Sequence, residues 1–88
     1  MNQLMRIVLD PLCFFELSSD EILDQDAAVR QIESIGSDLD KLSADEKRAF
    51  LACAEAMATE ETQRPKRAAF LRSMATVMGW EHLAPPAA

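Results

Sequence analysis

The sequence predicts an all-α protein: a small three-helix bundle built on an αα-hairpin, with an N-terminal segment that is either an apolar arm or a short extra helix. Three observations carry this prediction. From residue 26 onward, large apolar side chains recur at helical period. Ser43-Ala44-Asp45-Glu46 is a capping box, so one helix starts where another has just stopped. Gly79-Trp80 is a helix-ending pair, with the glycine suited to the left-handed position past the last turn. These signals place helices over 25–42, 44–60 and 65–78 in a single domain spanning 1–80. The arm covers 1–23, and 81–88 is expected to be a flexible tail.

The arm is the least regular part. Leu4, Ile7 and Val8 fit either a short amphipathic helix or a strand over 4–9, and Asp10-Pro11 predicts a turn or extended stretch. Leu12 to Leu17 is too apolar to stand in water, so it should lie across the bundle or be covered by a partner. Ser18-Ser19-Asp20-Glu21 is a second capping-box candidate, starting a single turn through Leu23.

Over 25–42, Asp24 or Asp26 serves as the N-terminal cap, an acid where the helix dipole is positive. Val29, Ile32, Ile35, Gly36, Leu39 and Leu42 share an inward face, while Asp26, Arg30, Glu33, Ser37 and Asp40 form a wet stripe. Asp26 and Arg30 have the i, i+4 spacing of a helix ion pair. Gly36 costs about 1 kcal/mol against Ala and points to a close helix crossing, ahead of a kink. Over 44–60 the inward stripe is Phe50, Cys53, Ala54 and Met57. The near-absence of a loop before it predicts an antiparallel pairing of these two helices. Pro65 suits the first turn of the helix over 65–78, whose core stripe is Phe70, Leu71, Met74, Val77 and Met78.

Length and charge exclude several function classes. The chain has 88 residues, net charge −6 and two cysteines, which leaves room for one thin core and for no large catalytic scaffold or disulfide framework. Cys13 and Cys53 read as small buried hydrophobes, as in a reducing cytosol. No stretch reaches the length of a membrane span, and residues 1–9 do not read as an address. A cytoplasmic protein is expected. His82 has no second His or Cys nearby, the two glycines form no phosphate loop, and Asp20, Asp24 and Asp26 lack the Gly and Glu of a calcium loop. No metal, cofactor or catalytic set is therefore expected, and enzyme is a poor reading.

The acids are unevenly placed. Residues 1–46 hold eleven acids against three bases, and residues 47–88 hold four against six. Arg64, Lys66, Arg67 and Arg72 give the third helix a basic side, for which pairing with internal acids is favoured over nucleic-acid contact. The alternative function is a small regulatory or adaptor subunit, monomeric or dimeric, that contacts nucleic acid or a larger assembly through that helix. The first choice is protein binding through Phe14, Phe15, Glu16, Asp20, Glu21, Asp24, Asp26, Glu33 and Asp38. Apolar anchors supply affinity, while the surrounding carboxylates steer a basic partner. The competing reading, of equal weight, is that Phe14, Phe15 and Ile22 simply roof the core.

Residues 14–51, and within them Phe15-Glu16-Leu17-Ser18, the acid-rich turn at 20–26, Ala27-Ala28-Val29 and Leu42-Ser43 followed by Glu46, resemble small acidic immunity proteins encoded beside bacterial polymorphic toxins, the Rhs or type VI secretion effectors. The resemblance implies a cognate toxin as partner, neutralised by blocking its active or substrate-binding surface. A cytoplasmic setting and an acidic inhibitor fit a nucleic-acid- or nucleotide-directed toxin.

Overall fold

The structure, a computed structural model, describes residues 2–19 and 21–83. Asp20 and residues 84–88 of the expected tail lie outside the described residues. The described chain is all-α, with no strand: α1 (Asn2–Leu17), α2 (Gln25–Leu39), α3 (Ala44–Glu60), α4 (Pro65–Arg72), α5 (Met74–Met78) and a 3-10 turn, Glu81–Leu83.

The arm is not an arm. Residues 2–17 form one continuous helix with Pro11 inside it. A proline in that position removes one backbone hydrogen bond and crowds the carbonyl four residues back, at a cost of roughly 3 kcal/mol. Burial outweighs it. Met5, Leu9, Leu12 and Cys13 face the core, and Leu9 and Leu12 are 0% exposed. Each fully buried leucine contributes about 1.5–3 kcal/mol, so this stripe holds Asp10-Pro11 helical against its local preference. Two ion pairs fasten the helix from outside: Arg6 to Glu60 of α3 at 3.0 Å, and Asp10 to Arg67 of α4 at 2.7 Å.

With α1 present as a full helix, the packing partners change. The tight connection over 40–43 is as the sequence predicts, but α2 and α3 do not form the expected hairpin. α2 packs on α1, whereas α3 packs on α4 and α1. At the end of α2 the space beside α3 is taken by Trp80. Its ring meets Phe50 of α3 edge-on with centroids 6.0 Å apart, and its Nε1 donates to Asp40 Oδ1 at 2.8 Å. Lys47 Nζ lies 5.3 Å from the same ring.

The caps follow the sequence closely. Asp24 caps α2, accepting from the Ala27 amide at 2.9 Å. The Ser43 hydroxyl accepts from the Glu46 amide at 3.1 Å, and the Glu46 carboxylate accepts from the Ser43 amide at 2.8 Å. Those Ser43 donors, the amide first, hold the Glu46 carboxyl below its usual pKa. Gly79 sits at φ +74°, and the Trp80 and Gly79 amides donate to Ala75 and Thr76 at 2.8 and 3.2 Å. That is the double bond of a Schellman ending. The expected tail begins as structure, since Glu81–Leu83 is a 3-10 turn and Leu83 packs against the core.

Three further expectations are corrected. The helix over 65–78 breaks at Ser73, whose hydroxyl donates back to the Phe70 carbonyl at 2.7 Å and competes with the helical ladder. Val29 is half-exposed, and the inward stripe of α2 is instead Ala28, Ile32, Ile35 and Leu39. Gly36 does not mark a close crossing. A Cβ built there would meet the Met78 sulfur at 3.8 Å, an ordinary contact.

Candidate functional site

The residues predicted to bind a partner come from three places. Phe14, Phe15 and Glu16 lie on the last turns of α1. Glu21 lies in the turn that follows, which is closed by Ile22 and Leu23 amides donating to the Ser19 carbonyl, both at 3.0 Å. Asp24, Asp26, Glu33 and Asp38 belong to α2 and its cap. All six described acids of this set are exposed. Phe14 meets Phe15 edge-on with centroids 5.8 Å apart. Phe15 is half-buried, whereas Phe14, Leu17 and Ile22 are 51%, 41% and 69% exposed. Phe14 and Ile22 therefore do not roof the core.

The structure brings only part of the set together. Glu21, Asp24 and Asp26 gather at the start of α2, and Glu33 continues the same wet stripe seven residues past Asp26. Asp38 leaves it. Glu33 borders a hollow shared with Val77 and Met78 of α5, while Asp38 borders another shared with Ile7 and Pro11 of α1. The predicted surface thus divides between two flanks of α2, because the period of a helix does not show which neighbours flank it.

The carboxylates also differ in what they touch. Glu16, Glu21, Asp26 and Glu33 make no ion pair among the described residues, and the expected Asp26–Arg30 pair is not formed; Asp38 reaches Lys41 at 3.5 Å. On α3 and at its C-terminal cap, the acids are occupied. Asp45 pairs with Arg48 at 3.2 Å, Glu55 with Arg72 at 3.6 Å and Glu60 with Arg6 at 3.0 Å. Glu61 meets both Arg64 at 3.1 Å and Arg67 at 3.0 Å. Burial pushes the Glu61 carboxyl up, but the Gln63 amide and the Arg64 guanidinium outweigh it and hold the group below its usual range. Burial likewise opposes the charge on Arg67, yet its bond to Asp10 and the nearby anions raise its pKa. Three of the four basic residues on α4 are therefore paired within the chain, as expected from sequence.

The aromatic anchor has a different neighbour from the one predicted. Phe14, Leu17 and Ile22 form one wall of an open groove of about 950 Å³ whose other wall is Arg64, Lys66 and Arg67 at the start of α4. In sequence these apolar residues sit among acids; in space they face cations more than forty positions away. Arg64 and Lys66 belong to the basic helix of the alternative reading and not to the first-choice contact set, and the sequence does not show that they face Phe14, Leu17 and Ile22.

Nothing else described offers reactive chemistry. Cys13 and Cys53 are buried and outside any disulfide. Burial pushes the Cys13 thiol up, against the pull of Arg67, which favours the neutral form. His82 is exposed on the 3-10 turn, and no cluster of potential metal ligands occurs among the described residues. No helix among the described residues is long and apolar enough to cross a membrane. Comparison with protein families, with curated proteins and with solved structures returns no match to this chain.

Proposed function

We propose that this chain is a non-catalytic immunity protein that neutralises a cognate toxin in the cytoplasm by covering its active or substrate-binding surface. The observation that carries the reading is the state of the carboxylates along the start and wet stripe of α2. Glu21, Asp26 and Glu33 are exposed and hold no cation among the described residues, while the acids of α3 are committed to arginines or to a cap. An unpaired exposed carboxylate meets a partner's lysine or arginine without first breaking a bond. Several together speed the encounter with a basic cleft of the kind that binds nucleic acid or nucleotides.

The test is growth protection. Cells producing the toxic domain encoded beside this chain should grow when the chain is supplied, and the two proteins should purify as one complex whose association slows with salt. Reversing Glu21, Asp26 and Glu33 to Lys should abolish protection while the variant stays folded. Asp24 is left intact because it caps α2. Protection unchanged by the triple reversal would refute the acidic stripe as the contact surface. An adjoining toxic domain that the chain neither binds nor neutralises would refute the function.

A further inference from the structure

We propose that the groove between the end of α1 and the start of α4 is a second docking surface, one that takes an acidic amphipathic helix from a protein partner. It goes beyond the acidic stripe of α2 and uses none of that stripe's residues. Phe14, Leu17 and Ile22 leave about half of their surface in water, side by side, along a groove of about 950 Å³. Large apolar groups held together in this way mark contact surfaces.

Charge selects the occupant. Among the described residues, the groove lining contains three cations and one carboxylate, and that carboxylate, Asp10, is already bound to Arg67 at 2.7 Å. Lys66 makes no ion pair among the described residues, and Arg64 keeps 69% of its side chain exposed while touching Glu61. The mouth of the groove is thus open to anions, although the chain as a whole carries −6. Beyond about 8 Å that net charge is screened at physiological salt, so Lys66 and Arg64 act in contact. Phe14 and Leu17 stand at i, i+3 on one helix, forming a ridge that accepts apolar side chains spaced i, i+3 and i+7 on a crossing helix. An acidic flank on that helix would then meet Lys66 and Arg64.

The test uses the full chain and a fluorescein-labelled 16-residue synthetic helix of Leu, Glu and Ala, with leucines on one face. Its Leu/Lys/Ala counterpart and phosphatidylglycerol vesicles serve as competitors for the assignment. The Leu/Glu helix should bind and shift the Ile22 methyl resonances of the unmodified chain. Phe14→Ser should weaken binding roughly thirtyfold and Lys66→Glu about fivefold. Val77→Ser, an exposed apolar site away from the groove, should leave it unchanged, with thermal melts confirming that each variant folds. The proposal is overturned if the Leu/Glu helix fails to bind, if the Leu/Lys helix binds equally, or if Phe14→Ser and Lys66→Glu have no effect. It is also overturned if the groove instead serves vesicles or a second copy of the chain, seen as vesicle binding or a sedimenting dimer that Phe14→Ser abolishes.

Discussion

α2 and α3 are of similar length, 15 and 17 residues, each begins on a side-chain cap, and both carry acids, yet they do opposite jobs. α3 buries Phe50, Leu51, Cys53, Ala54, Met57 and Ala58, whereas α2 buries only Ala28 and Leu39. The acids of α3 are bonded to cations or to the cap, and those along the wet stripe of α2 are not. α3 is the element around which the others assemble. α2 leans on α1 and presents a face. A capped, amphipathic acidic helix can therefore be structural or presenting, and its acids' partners tell the two apart better than their number.

Substitutions break or sharpen this contrast, beginning with the largest effect. Phe50→Ala on α3 should cost about 3–5 kcal/mol, a large share of the roughly 4–13 kcal/mol expected for a chain of this size, read as a fall in the denaturant midpoint. Val29→Ser on α2 should stay within about 0.5 kcal/mol. If the two losses were comparable, α2 would be a core helix after all.

Removing the caps should cost about 1 kcal/mol for either Ser43→Ala or Asp24→Ala, because local capping does not depend on how deeply a helix packs. Gly36→Ala should raise stability by about 0.5–1 kcal/mol, since its added methyl meets only the Met78 sulfur at ordinary distance. A loss there would mean that α2 lies closer to α5 than described. Neutralising Glu21, Asp26 and Glu33 together to their amides should leave the melting temperature nearly unchanged or slightly raised.

The pH response should follow the bonded carboxyls at the two ends of α3. Glu46 and Glu61 are held below the usual 4.5, by the Ser43 donors in one case and by the Gln63 amide and Arg64 against burial in the other. A depressed carboxyl contributes stability that is present above its unfolded value and lost as pH falls through the folded one. Chemical denaturation should therefore show stability falling below about pH 4.5. Glu46→Gln, which removes the carboxyl that the Ser43 amide holds, should flatten that fall.

How much was legible follows from which forces were local. The Ser43–Glu46 box, the Asp24 cap, the Pro65 start and the Gly79 ending each depend on a few adjacent residues and stand where the sequence puts them. The helix through Asp10-Pro11 was hidden, because its cause is burial of Leu9 and Leu12 against helices far along the chain. Val29 was misplaced for a related reason. Ala28 is small and weighs little in a periodicity, yet it is the residue that fits against a neighbour. In the candidate site, the exposure of Phe14 decides between two readings that the sequence left open, and Asp26 lacks, among the described residues, the Arg30 partner that its spacing predicts. The separation of Asp38 from Glu33, and the facing of Phe14 by Lys66, required knowing which helices are neighbours.

The bond from Trp80 to Asp40 has an optical consequence. Trp80 is the sole tryptophan and there is no tyrosine, so the ultraviolet emission of this protein reports on one side chain. That side chain is 2% exposed and joins the end of α2 to Phe50 of α3. Emission should be blue-shifted in the resting fold and move red whenever the C-terminal turn leaves its seat. Because the indole is anchored to the end of α2, the proposed engagement of that helix can be followed without attaching a label.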